Sequence, residues 1–210
     1  EMVAQSGAEI EVVTLADGSV ITLRQNSKLR KKSTRKKSPR SYVLEGEAFF
    51  EVVSDPDLPF SVETNSGTVT VLGTQFMLST WGDKTQVYLQ EGRVQFTSKQ
   101  ANDYVILTSG ESAQIKKGIL QQATVTKEDI FTDWMKNTIV FEGSLPEEVA
   151  AELKQHFGVS LDLSQLQDNI TITGTLQLKS VQQSLEDLGL VLGGTFRLTA
   201  ENEYLLILIE

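Results

Sequence analysis

The first 125 residues alternate between short apolar-rich runs and clusters of turn-forming residues. Residues 12–15 and 20–23 are rich in β-branched side chains and flank Asp17-Gly18, which predicts a β-hairpin closed by a type I′ turn. The same pattern predicts further strands at 48–53, 68–72, 75–80, 86–89, 93–97, 104–107 and 112–115. Because no stretch keeps a helical period, this part is predicted to be mainly β, as a sandwich, a barrel or a β-helical prism.

The pattern changes after residue 125 and then occurs twice. Residues 139–141 alternate as a strand, and apolar residues at every fourth position predict a helix that Ser144 caps, with Glu147 as its capping-box partner. A strand at 159–163 completes the first repeat. The second repeat has a strand at 170–176, a helix capped by Ser180, and strands at 196–198 and 204–209. This doubled strand-helix-strand unit predicts a small α+β domain with one sheet and two helices on one face.

A polar connector joins the two parts. Its apolar residues Ile130, Phe131 and Trp134 are spaced as in a short helical turn or in a linker held by aromatic contacts. The predicted organisation is therefore an all-β domain at 1–125, a connector at 126–137 and an α+β repeat domain at 138–210.

Composition excludes several classes of protein. The chain has 210 residues, no cysteine and no apolar run near the roughly 20 residues that cross a bilayer, so thiol catalysis, cysteine-bound zinc and a membrane span within this sequence are excluded. The sequence begins at Glu1, and we expect any signal or membrane anchor to lie upstream of it.

The net charge of −9 is distributed unevenly. Residues 28–40 contain eight bases and no acid, a net of +8, whereas residues 131–210 contain 12 acids and 4 bases, a net of −8. Because the chain outside residues 28–40 is strongly acidic, general nucleic-acid binding is not expected. The basic segment is predicted to be a solvated loop or a docking patch for an acidic partner or lipid headgroups, with candidate residues Lys31, Lys32, Arg35, Lys36 and Lys37.

Few residues are candidates for catalysis. Glu45, Glu47 and Glu51 would share one face of a regular strand, at a spacing that paired glycosidase acids use, although Gly46 favours a turn between the first two. The single histidine, His156, ends the first predicted helix, where a helix-terminal or surface role is expected. No catalytic residue, cofactor site or metal site is predicted. The alternatives to a binding module are a carbohydrate-active or carbohydrate-binding β-domain and a structural or adhesive surface protein.

Six motifs, in their order and spacing, resemble the FecR family of envelope-spanning anti-sigma factors: 15–27, 43–52, 59–64, 71–76, 89–94 and 107–111. The doubled C-terminal unit resembles the short N-terminal domain of secretins and TonB-dependent receptors, as attached to such proteins in Bacteroidetes. The basic segment departs from the family, which usually has aromatics and a proline after its Asn-x-Ser motif.

The resemblance implies a periplasmic, non-enzymatic region of a single-pass inner-membrane protein. Such a region receives a signal from the signalling domain of a TonB-dependent outer-membrane receptor and regulates an extracytoplasmic-function sigma factor, which it reaches only through a cytoplasmic segment upstream of this sequence. It binds no nucleic acid, and a helix upstream would supply its membrane contact. We expect the receptor to add a strand to the repeat domain at one of two places. The candidate residues are Ile170, Thr171, Ile172, Thr173, Tyr204, Leu206 and Leu208.

Overall fold

The computed structural model describes residues 1–32, 40–80, 84–121, 124–125, 129–167 and 170–209. The chain divides into two units, Glu1–Phe131 and Thr132–Glu210, which are called the first and second unit below. No helix among the described residues is long and apolar enough to cross a membrane.

The first unit is built from strands. Their bounds are β1 Met2–Gln5, β2 Glu11–Thr14, β3 Val20–Leu23, β4 Lys28–Lys31, β5 Ser41–Glu45, β6 Glu47–Val52, β7 Phe60–Glu63, β8 Gly67–Val71, β9 Thr74–Ser79, β10 Lys84–Glu91, β11 Arg93–Ser98, β12 Tyr104–Thr108, β13 Glu111–Lys116, β14 Ile119–Leu120 and β15 Thr124–Val125. One sheet has the order β1-β4-β5-β7-β8-β11-β12. The other has the order β14-β13-β10-β9-β6-β3-β2, with β15 paired to β13. The mainly β prediction is confirmed.

Both sheets bury alternate side chains in one shared core. Phe50 of one sheet meets Phe60 of the other edge to face, with ring centroids 6.2 Å apart, and stacks on Phe76 at 4.8 Å. All three rings are fully buried. Because side chains alternate along a strand, the neighbours of these inward-facing residues point away from the core. The core therefore lies between the two sheets.

Glycines stand where the chain passes from one sheet to the other. Gly46 lies between β5 and β6, Gly73 between β8 and β9, and Gly92 between β10 and β11, and each of these pairs of strands is divided between the two sheets. Gly46 and Gly92 have φ of +103° and +102°, which L residues rarely adopt. A Cβ on Gly46 would also lie 2.4 Å from Ser27 Oγ. The corners at Gly46 and Gly92 therefore depend on glycine for both conformation and space.

The predicted first hairpin is confirmed, but its turn differs from the prediction. Strands β2 and β3 pair antiparallel, with Val12 opposite Thr22. Only Gly18 has positive φ, +84°, and the loop is closed by bonds from Leu15 N–H to Ser19 C=O and from Gly18 N–H to Leu15 C=O. A type I′ turn, which needs positive φ at both central positions, is therefore wrong, because the loop is longer than two residues.

The second unit contains two helices and two small sheets. Helix α1, Asp129–Thr132, links the units, and a 3-10 turn, Asp133–Lys136, leads into β16 Thr138–Ser144, α2 Pro146–Phe157, β17 Ser160–Asp162, β18 Ile172–Gln177, α3 Val181–Leu192, β19 Gly194–Ala200 and β20 Glu203–Leu208. Strand β16 pairs with β18, and β17-β20-β19 form a separate sheet. The α+β class is confirmed, whereas the single sheet is wrong. The strand before α2 pairs with the strand before α3, and the strands that follow the helices form the other sheet.

One of the two predicted helix caps is correct. Ser180 caps α3, its hydroxyl accepting a hydrogen bond from Gln183 N–H at 3.2 Å. The cap of α2 is Leu145 rather than Ser144, and Glu148 rather than Glu147 accepts from the Leu145 N–H, at 2.9 Å. Pro146 occupies the first helical position, and it moves the start of the helix one residue along the chain.

Aromatic residues hold the connector as predicted. Phe131 stacks on Tyr88 of β10, with centroids 4.9 Å apart, and closes the first unit. Trp134, in the second unit, is 1% exposed. The carboxylate of Asp133 accepts from Trp134 N–H at 2.7 Å and from Val140 N–H at 2.5 Å, so it fixes the turn before β16.

Candidate functional site

The three candidate carboxylates do not form one site. Glu45 ends β5 in one sheet, whereas Glu47 and Glu51 lie on β6 in the other, with the Gly46 corner between them. The turn that Gly46 favours is therefore present, and the shared face that a regular strand would give is absent. Glu51 is exposed, and Glu45 pairs with Arg30 on a half-exposed surface.

Glu47 is part of a buried ion pair. Its carboxylate accepts from Arg24 Nη1 at 2.9 Å, and the exposed fractions of the two side chains are 8% and 3%. Its backbone N–H donates to Ser27 Oγ at 2.9 Å, and its carbonyl accepts from Arg24 N–H at 2.9 Å. The arrangement joins the β3–β4 and β5–β6 corners, which makes Glu47 a structural residue.

The basic segment is partly a strand. Lys28–Lys31 form β4, which pairs with β1 and β5, so a loop over the whole of 28–40 is wrong. Lys31 is exposed, whereas Lys32 pairs with Glu63, which also lies 3.6 Å from Lys99 Nζ. The hydrogen bond from Lys32, assisted by the charges of both lysines, holds the pKa of Glu63 below its ordinary value against the effect of burial. Arg35, Lys36 and Lys37 lie outside the described residues.

Arg40, the last base of that segment, is a buried anchor. Its side chain is 4% exposed and donates to the Asp17 carboxylate at 2.7 Å, to Leu58 C=O at 2.9 Å and to Val53 C=O at 2.6 Å. Its guanidinium lies 5.4 Å from the Phe60 ring centroid. Burial raises the pKa of Asp17, but hydrogen bonds from Ser19 and Arg40, and the charge of Arg40, lower it further, to below its ordinary value. The positive charge of the segment is thus partly neutralised by carboxylates elsewhere in the first unit.

The two candidate partner-binding strands differ in their neighbours. Strand β18, which contains Ile172 and Thr173, pairs with β16 alone among the described residues, and Ile170 and Thr171 lead into it. Its Ile172 and Leu176 are buried, whereas the side chains between them are exposed. One backbone edge of β18 is therefore open.

Strand β20 has neighbours on both sides. Residues Glu203–Leu205 pair with β17 on one side, and β19 runs along the other. Leu206 is fully buried, Tyr204 packs against the core of the unit, and Leu208 is exposed at the end of the strand. A partner strand therefore has less free backbone on β20 than on β18.

His156 is buried rather than on the surface. It is 7% exposed in the last turn of α2, and its ring meets Phe157 edge to face at 4.5 Å. The expected helix-terminal position is correct, but the surface position is wrong, because the last turn of α2 packs inward. Among the described residues no group of His, Asp and Glu side chains is placed to hold a metal ion.

A groove lined by both apolar and polar residues lies beside the start of α2 in the second unit. It encloses about 790 Å³ and is lined by Leu145, Pro146, Glu147, Ala150, Leu161, Leu163, Ser164, Leu166, Gln167 and Ile170. The sequence analysis predicted no groove at this place. The signal was present in the leucines at 161, 163 and 166, which are more apolar residues than the short strand β17 can bury.

The comparisons with known proteins agree with this architecture. Residues 2–95 match the family model described as FecR protein. Two crystal structures of a candidate anti-sigma factor from Parabacteroides distasonis ATCC 8503 have a TM-score of 0.83 to the chain at 23% identity. They are aligned over 100% of this chain and over 100% and 99% of theirs, which establishes a shared fold. No curated protein matches the chain.

Proposed function

We propose that this chain, whose first unit belongs over residues 2–95 to the FecR family, is the signal-receiving part of an anti-sigma factor. FecR proteins are regulatory rather than enzymatic, and the family match of the first unit is the observation that carries the proposal. The fold shared with the candidate anti-sigma factor of Parabacteroides distasonis supports the same role across both units.

The finer part of the proposal concerns location and partners. This region lies in the periplasm, attached to the inner membrane through a single upstream helix. It binds the signalling domain of a TonB-dependent outer-membrane receptor and thereby regulates an extracytoplasmic-function sigma factor. The family match over residues 2–95 supports this assignment, and so does the sequence resemblance of residues 138–210 to the short N-terminal domain of secretins and TonB-dependent receptors.

The second unit is the receptor-binding part of the proposal. The open edge of β18 offers backbone donors and acceptors to an added strand, and its exposed threonines and glutamine would choose among partners. In the first unit, by contrast, four charged residues are used in internal ion pairs, Arg24 with Glu47 and Asp17 with Arg40. We therefore assign partner binding to the second unit and a supporting role to the first.

A truncation tests this assignment. Signalling domains of TonB-dependent receptors from the source organism are immobilised, and the full chain is compared with a chain that lacks residues 138–210. We expect the full chain to bind and the truncated chain to lose binding, while the first unit keeps its strand signal in circular dichroism because it has its own core. Undiminished binding by the truncated, folded chain would contradict the assignment.

A point variant tests whether the receptor contacts β18 itself. Thr175→Pro removes one backbone N–H from β18, and Thr199→Pro makes the same change at the irregular end of β19, an edge strand of the other sheet. We expect only Thr175→Pro to weaken receptor binding. Both variants are first compared with the unaltered chain by thermal unfolding, and a loss of binding that is equal in two folded variants would contradict a role for β18.

A further inference from the structure

We propose that the groove beside α2 binds a segment of a protein partner that presents a large apolar side chain between lysines or arginines. This inference rests on the proposed function, since it specifies the chemistry of the segment that the partner inserts into the second unit.

The lining of the groove combines polar and apolar surface in similar amounts, and its apolar residues are only partly covered. Pro146, Ala150, Leu161, Leu163, Leu166 and Ile170 are half-buried, and Leu145 is 41% exposed. A volume of about 790 Å³ accommodates side chains of leucine or aromatic size together with their backbone. The apolar part of such a concave surface is stabilised when apolar side chains displace water from it.

The walls of the groove are held by hydrogen bonds. Leu166 N–H donates to Leu163 C=O at 3.0 Å and closes one turn of the wall, and Gln165 Oε1 accepts from Leu208 N–H at 3.3 Å. On the opposite side, Pro146 begins α2 and leaves Leu145 outside the helix. The groove is therefore part of the fold of the second unit.

The charge around the groove selects a basic partner. Glu147 lines it, and Asp162, between two lining leucines, is exposed. Hydrogen bonds from Ser164 hold the pKa of Asp162 below its ordinary value, so it is ionised at neutral pH. The second unit has a net charge of −8, and its four bases, Lys136, Lys154, Lys179 and Arg197, are not among the residues that line the groove. An apolar segment with lysine or arginine on both sides matches this surface.

Two adjacent alanines provide the test. Ala150 lines the groove, whereas Ala151 is exposed on α2 away from it, so Ala150→Arg and Ala151→Arg add the same charge and bulk to one helix. The probe is a synthetic ten-residue peptide of alternating leucine and lysine, and its binding to the full chain is followed by fluorescence anisotropy. Leucine–glutamate and serine–lysine peptides of equal length serve as controls.

We expect the leucine–lysine peptide alone to bind, and more weakly as salt is added. Ala150→Arg should weaken binding about tenfold or more, because it places a bulky positive charge in the groove that a basic peptide would enter, and Ala151→Arg should change it by less than about twofold. Equal effects of the two substitutions, or equal binding of all three peptides, would overturn the proposal. So would a concentration-dependent dimer of the unaltered chain that Ala150→Arg abolishes, since a second copy would then occupy the groove.

The same variants separate this inference from the proposed function. If the receptor domain binds the unaltered chain and both variants equally, the groove proposal fails and the proposed function stands. If the receptor domain does not bind at all but the peptide binds in a manner that depends on Ala150, the proposed function fails and the groove proposal stands.

Discussion

Replacing Glu47 by glutamine should destabilise the first unit far more than replacing Glu45 by glutamine. Both residues belong to one short motif and both accept from an arginine, but the Glu47–Arg24 pair is buried and the Glu45–Arg30 pair is half-exposed. Removing one partner of a buried pair leaves an uncompensated charge and costs about 3–5 kcal/mol. Removing one partner of an exposed pair costs about 0–1 kcal/mol.

The measurement is urea unfolding of the full chain, followed by far-UV circular dichroism at pH 7. With a slope of about 2 kcal/mol per molar urea, the loss at Glu47 lowers the midpoint for the first unit by about 2 M, whereas the midpoint for Glu45→Gln moves by less than about 0.5 M. The double variant Arg24→Met/Glu47→Leu should recover much of the stability, because it removes both buried charges.

Two results would refute this reasoning. Equal losses of stability in Glu45→Gln and Glu47→Gln would mean that the difference in burial does not control the contribution of the two pairs. A Glu47→Gln variant as stable as the unaltered chain would mean that Arg24 does not depend on this carboxylate for its charge compensation.

Three further substitutions test other contacts in the two units. Gly46→Ala should cost more than Gly110→Ala in denaturant unfolding: both glycines have positive φ, but only a Cβ on Gly46 meets other atoms, and equal losses would contradict the packing argument. Ser180→Ala removes the cap of α3 and should cost about 1 kcal/mol in the unfolding of the second unit; an unchanged melting temperature would contradict the cap. Because Asp17 has a pKa below its ordinary 3.8 in the folded chain, its bond to Arg40 stabilises the fold above that pH and is lost as the pH falls through the folded pKa. Asp17→Asn should therefore show a smaller loss of stability between pH 5 and pH 2 than the unaltered chain, and identical pH profiles would contradict this.

Local signals in the sequence predicted the helices of the second unit and nine strands of the first unit, but they missed β1, β4, β5, β7, β14 and β15. The hairpin at β2–β3 and the cap at Ser180 depend on residues near one another in the chain, whereas Phe131 of the connector stacks on the distant Tyr88. The error at α2 is also local: Pro146 fixes the first helical position, and this preference outweighed the serine before it. Element type therefore follows from short-range preferences, with boundaries that shift by a residue or two.

The candidate sites could not be predicted in the same way. A regular strand through 45–51 would have placed three glutamates on one face, but the chain changes sheet at Gly46, so Glu47 reaches Arg24 and Glu45 reaches Arg30. The basic run around residue 30 reads as one charged segment, yet Arg40 is buried beside Asp17, 23 residues before it in the chain. Neither partner is indicated by spacing along the chain.

The sequence by itself determined the two-part organisation, the mainly β first part, the doubled α+β second part and the absence of thiol chemistry, because periodicity, turn residues and composition act over a few residues. Tertiary structure alone decided which strands share a sheet and which charges are paired and buried. It also decided that β20 is central, that one edge of β18 is open among the described residues, and that a groove lies beside α2. These properties depend on contacts between residues distant in the chain, and their free energies arise only when packing excludes water from both partners.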